Sequence, residues 1–140
     1  MSKSKATNIL FICTGNSARS VMAEVLINEL SEGRFRAHSA GAKPSGTVNP
    51  LTIETLIAHG HKVDGLSSKS IGRFLDQEMD IVVTVCDNAR ESCPVWPKQT
   101  TIYHWGFEDP ADFMGSHDEK LKFFDKIYEQ IKQRIIEYIN

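Results

Sequence analysis

No apolar run in this chain of 140 residues comes near the ~20 residues that a membrane span requires. The opening Met-Ser-Lys-Ser-Lys5 is not followed by a signal-type apolar core and cleavage site, so the expected compartment is the cytoplasm. Charge of one sign is also missing. Sixteen Lys and Arg stand against eighteen Asp and Glu, mixed along the chain to a net −2, with no basic stripe for nucleic acid and no acidic tail. Neither nucleic acid nor membrane is expected as a partner. Cysteine is scarce: three residues, at spacings of 73 and 7, with no C-x-x-C. An odd, widely spaced set in a reducing compartment suits transient redox chemistry better than a disulfide framework. At this length one hydrophobic core suffices without staples, so residues 1–140 are expected to form a single domain.

What is present is concentrated in one stretch, Cys13-Thr-Gly-Asn-Ser-Ala-Arg19-Ser20. It follows the apolar run Ile9-Leu-Phe-Ile12 and leads into a pattern of helical spacing, Val21, Met22, Val25, Leu26 and Leu30. A strand-to-helix turn of small residues aims successive backbone N–H groups at one point beside a positive helix end, which binds a tetrahedral oxyanion. Thr14, Gly15, Asn16, Ser17, Ala18, Arg19 and Ser20 are the expected oxyanion-binding residues. Arg19 adds a bidentate fork, and Cys13 sits against the anion in a field that favours thiolate. Ser20 can either cap the helix or bond the sulfur. A bare C-x5-R is common, and a buried strand-end cysteine beside a solvated arginine is the plain alternative. The preceding strand and the small loop residues favour nucleophilic attack on an oxyanion.

The remaining chain alternates. Phe35 to Ser39 reads as a short edge strand, Asn49-Pro50 opens a helix ending at His59-Gly60, and Ser70 to Gln77 reads as another short helix. Asp80 to Val85 is a β-branched central strand, Asp87 to Gln99 a long loop, and Thr100 to His104 a fourth strand. From Ser116 the stripe Leu121, Phe124, Ile127, Ile131, Ile135, Tyr138 predicts a long terminal helix. Strands alternating with helices predict an α/β fold with a parallel sheet covered on both faces. Ligands bind beyond the carboxyl ends of such strands, so Cys13, Cys86 and the Trp105–Asp109 loop are expected to face one crevice.

Asp109, before Pro110, is the candidate general acid, with Asp112 and Glu108 as the near alternatives. Cys86 and Cys93 are either two unrelated thiols or a relay, in which Cys86 attacks an adduct on Cys13 and Cys93 then attacks Cys86. Two cysteines seven apart with only His104 as a further ligand do not make a zinc site, so no metal and no cofactor is expected. His38, His59, His61 and His117 read as surface or helix-end residues, Trp96 and Trp105 as packing anchors, and Lys69 as a solvated loop lysine.

The residues FICTGNSARS, Met22-Ala-Glu24, Ser39-Ala-Gly41, Val48-Asn-Pro50, Asp80 to Cys86, Cys93-Pro94 and His104-Trp-Gly-Phe-Glu-Asp-Pro110 together resemble the thioredoxin-coupled arsenate reductases with the low-molecular-weight tyrosine phosphatase fold. The resemblance implies four parallel strands in the order 2-1-3-4. It implies Cys13 as nucleophile, Arg19 as anion clamp, Asp109 as general acid, and Cys86 and Cys93 as the second and third redox cysteines. Arsenate would be the substrate, phosphate or sulfate its competitors, and thioredoxin or another dithiol the reductant. The competing reading is a tyrosine phosphatase, although Ala111-Asp112 stands where such enzymes present aromatic residues; an anion-binding redox sensor without catalysis is a third. Ala18 stands where many relatives carry another cysteine. Some relatives bind potassium through positions resembling Asn16, Glu24 and Ser39 plus an acidic residue; Lys69 falls near that acidic position, so its ammonium would replace the ion.

Overall fold

The computed structural model describes residues 6–86 and 96–140. Its elements in order are β1 (Thr7–Cys13), α1 (Arg19–Leu30), β2 (Phe35–Gly41), α2 (Pro50–Ala58), a 3-10 turn Ile71–Phe74, β3 (Ile81–Thr84), β4 (Thr101–His104), a 3-10 turn Pro110–Asp112, and α3 (His117–Ile139). The four strands form one sheet in the order β2-β1-β3-β4, all neighbours parallel. This is the expected order. Ile9, Leu10, Phe11 and Ile12 are all fully buried. Successive strand residues point to opposite faces, so both faces of β1 are covered, as its unbroken apolar run requires.

Side-chain contacts distinguish the two faces. Phe11 meets Trp105, and Trp105 meets Tyr138 of α3, which also touches Phe35 of β2. On the opposite face, His38 of β2 packs against Phe74. The α3 stripe buries Phe124, Ile127, Tyr128, Ile131 and Ile135. Each such aliphatic side chain contributes roughly 1.5–3 kcal/mol on leaving water.

Local chemistry sets the element ends. Asn49 caps α2 by accepting from Leu51 N, with Pro50 at the first helical position. Ser116 and Glu119 form a reciprocal capping box that starts α3. The helix expected over Ser70 to Gln77 is instead the 3-10 turn Ile71–Phe74, capped by Ser70 through Gly72 N. Gly72 lies inside it, and glycine disfavours helix extension. The outer edge of β2 is answered at Ala37, whose N–H donates to Asn28 Oδ1 and whose carbonyl accepts from Asn28 Nδ2.

Candidate active site

The turn after β1 is built around Cys13. The residue is 2% exposed, and its sulfur accepts from the Asn16 backbone N–H at 3.2 Å and lies 2.8 Å from the Ser20 hydroxyl. That hydroxyl accepts from Asn16 Nδ2 at 2.8 Å, which leaves its own proton for the sulfur. Ser20 lies inside α1 and bonds the sulfur; it is not the helix cap. The cap position is Ala18, whose side chain makes no cap hydrogen bond to α1. The N–H groups of that helix end therefore remain available to an anion.

Asn16 carries a positive φ of 48° and is fully buried. Its side chain faces inward, to Ser20 on one side and, through Oδ1, to the Lys69 N–H at 2.7 Å on the other. Ser68 Oγ donates to Gly15 O at 2.9 Å, and Gly41 N donates to Lys69 O at 2.7 Å. The segment 67–70 thus braces the turn from behind. Gly41 makes the close approach possible: a Cβ there would lie 2.7 Å from Thr14 O and 3.0 Å from Asn16 N.

In front of the turn is a cavity of about 710 Å³, lined by Thr14, Arg19, Cys86, Gly106, Phe107, Glu108, Asp109 and Asp112. Arg19 donates to Phe107 O at 3.1 Å and pairs with Asp109 Oδ2 at 3.4 Å. Its Nε is buried with no hydrogen-bond partner among the described residues. A buried guanidinium donor without a partner costs free energy unless an anion answers it. Asp109 is half-buried and caps the 3-10 turn through Ala111 N at 3.0 Å, whereas Glu108 and Asp112 are exposed. Of the three candidate acids, Asp109 is the one paired with Arg19.

Cys86, two residues beyond β3, is 5% exposed, and its sulfur lies 3.2 Å from the Thr14 hydroxyl. The turn that carries Cys13 therefore also touches the second thiol. Of the groups expected to share one crevice, Cys86 and residues 106–109 line the cavity together with Thr14 and Arg19, whereas Cys13 is buried at the base of the turn and is not among the lining residues. Cys93 and the 87–92 segment lie outside the described residues.

The family model for low molecular weight phosphotyrosine protein phosphatases matches residues 8–140. The chain belongs to that family. Among its relatives is an arsenate reductase of Bacillus subtilis (strain 168), 35% identical over 130 residues, with 93% of each chain covered. A solved arsenate reductase in its oxidized state superposes with a TM-score of 0.79 at 28% identity, covering 95% of this chain and 96% of that one. A low molecular weight protein tyrosine phosphatase from T. tengcongensis shares the fold, with a TM-score of 0.79 at 23% identity over 96% and 98% of the two chains.

Within this phosphatase-family fold, Lys69 departs from the solvated lysine expected of it. Its Nζ donates to Ser67 O at 2.7 Å and to Ser39 Oγ at 3.4 Å, and pairs with Glu24 at 3.7 Å, while Ser39 also donates to Glu24. The side chain is 11% exposed. Burial lowers its pKa, Glu24 opposes that, and Arg73 adds to it. Glu24 and Ser39, two of the groups read as potassium ligands in some relatives, are thus engaged by an ammonium. This donor set does not fit the ion. Glu24 and Ser39 lie 45 and 30 positions from Lys69, so no local pattern signalled their meeting. The histidines also divide: His117 is exposed and His59 ends α2, whereas His38 and His61 are half-buried.

Proposed function

We propose that this protein reduces arsenate to arsenite with its own thiols. The observation that carries the reading is Cys86 at the mouth of the anion turn, beside Thr14. Phosphate ester hydrolysis needs no second thiol there, and reduction does. Cys13 attacks arsenic as the thiolate while Asp109 supplies a proton to a leaving hydroxyl, so that water departs and an S–As bond forms. Arg19 and the turn's N–H groups hold the oxygens as charge shifts among them. Cys86 then attacks the Cys13 sulfur. The S–As bond breaks with its electron pair on arsenic, which leaves as arsenite, and a Cys13–Cys86 disulfide remains. Cys93 attacks Cys86, freeing the Cys13 thiolate and leaving Cys86–Cys93 for an external dithiol such as thioredoxin. The reading places these steps in a cytoplasmic, single-domain enzyme. Phosphate is a competing anion for the same turn.

Family membership favours a second reading, hydrolysis of phosphate monoesters through a phosphocysteine, in which water replaces Cys86. The test is arsenate-dependent NADPH oxidation with thioredoxin and its reductase, compared with aryl phosphate hydrolysis. Cys13→Ser should abolish both. Cys86→Ser and Cys93→Ser should remove reductase turnover and spare any hydrolysis. Turnover of Cys93→Ser at the normal rate would end the three-cysteine relay.

A further inference from the structure

A second concentration of ionisable groups lies outside the cavity, where the end of α2 meets α3. Asp125, Tyr128 and Glu129 follow at helical spacing and share one face of α3. His59, at the C-cap of α2, places Nε2 2.5 Å from Asp125 Oδ1 and 4.0 Å from Glu129 Oε1. The three donor atoms all lie within 4.8 Å of one another. The His59 ring is stacked on Tyr128 with centroids 4.0 Å apart and planes 19° from parallel, which fixes the direction of its nitrogen. From the same side, His61 is bonded to Glu29 of α1 at 2.5 Å and to the Tyr128 hydroxyl.

Negative charge exceeds what the two imidazoles can answer. Asp125 and Glu129 are like charges one turn apart, an arrangement that costs an isolated helix stability. Glu29 adds a third carboxylate. The Tyr128 phenol is pushed up to about 12, by burial first and then by Glu129, Glu29 and Asp125. Lys126, next to Asp125 in sequence, lies over the Phe123 ring instead. One imidazole nitrogen and two carboxylates converge on a point open to solvent.

We propose that His59, Asp125 and Glu129 bind a divalent cation of the zinc or cobalt type, fastening the end of α2 to α3. One nitrogen with two oxygens suits these borderline ions, with water completing a tetrahedron. Bonds of ~2.0–2.2 Å require His59 and Asp125 to exchange their direct contact for a shared ion, a small shift for exposed side chains. The ion and a proton compete for Nε2, so binding weakens on acidification. No thiol and no residue of the cavity takes part, so the site stands or falls independently of arsenate reduction.

Thiols bind the same metals, so the test uses the full chain carrying Cys13→Ser, Cys86→Ser and Cys93→Ser together. Cobalt(II) titration, followed by calorimetry and by the visible absorption of the bound ion, should give one equivalent. In Asp125→Asn and in Glu129→Gln the affinity should fall at least about tenfold, since loss of outer partners alone costs 10–100-fold at metal sites. His117→Gln should leave it unchanged. Zinc should raise the melting temperature of the parent and not of Glu129→Gln, whose exposed side chain makes misfolding an unsuitable explanation; circular dichroism checks that directly. No binding at millimolar cobalt, or titrations unchanged in both carboxylate variants, would overturn the site.

Discussion

Arg19 and Lys69 are both largely buried beside one turn, and they are used in opposite ways. Lys69 has its charge answered by Glu24, Ser39 and Ser67, and its backbone braces Asn16 and Gly41. Arg19 faces the cavity with Asp109 as its partner at 3.4 Å and with its buried Nε unanswered among the described residues. The satisfied cation holds the turn in shape. On the proposed reading, the cation with an open donor is set for an anion whose charge is redistributed during reaction, the arrangement that makes fixed donors effective. A cation's surroundings, more than its burial, separate scaffold from chemistry.

The largest test of this contrast is on the cavity side. Asp109→Asn keeps the shape and removes the transferable proton, and the first chemical step should slow on the order of 10²–10⁴-fold in single-turnover assays with arsenate. A loss under about threefold would move the acid to Asp112 or Glu108. Next is Arg19→Lys, which keeps the charge but loses the fork. Turnover should fall roughly 10²–10³-fold, as when one oxyanion donor is removed, with little change in melting temperature. A variant within a few-fold of the parent would mean that point charge alone suffices.

On the bracing side, the effects should appear in stability before rate. Lys69→Ser leaves Glu24 without its cation, and unfolding free energy should drop by about 1–3 kcal/mol. Potassium should restore part of that loss in the variant and leave the parent unmoved. If denaturant titrations show equal potassium response in both proteins, the ammonium is not filling the ion's place. The smallest effect concerns His38, whose pKa burial holds below 6.5 while Glu24 opposes and Arg36 and Lys69 assist. The unfolded chain then binds that proton more tightly, so stability declines as pH falls through 6.5. His38→Gln should flatten that slope, measured by urea unfolding at pH values on either side.

The sequence made the sheet legible because its signals were local. The run Ile9 to Ile12 needs cover on both faces, Asp80 to Val85 is β-branched, and Asn49-Pro50 carries its own cap. The turn after β1 was legible for the same reason, since Cys13 to Ser20 contains both the proposed nucleophile and the proposed clamp. Partnerships across long separations were not legible residue by residue. Lys69 read as solvated in its own loop, and only the family resemblance put its ammonium with Glu24 and Ser39, which come to it through the packing of α1 and β2. Asn16 read as an anion-binding residue and, by resemblance, as a potassium-ligand position, whereas its side chain locks Ser20 to the 67–70 segment. The helix expected over Ser70 to Gln77 shortened to four residues around Gly72.

Asn28 carries a consequence for assembly. Its amide meets both the N–H and the carbonyl of Ala37, just as a neighbouring strand would. A second chain seeking to extend the sheet beyond β2 finds those groups already taken, and must displace a side chain fixed to a helix before pairing. Three of the four residues of β4, at the far border, are exposed. The β2 border is thus closed at three points along its length, at Phe35 by Ser31, at Ala37 by Asn28 and at Gly41 by Lys69, so Asn28→Ala would open only its middle.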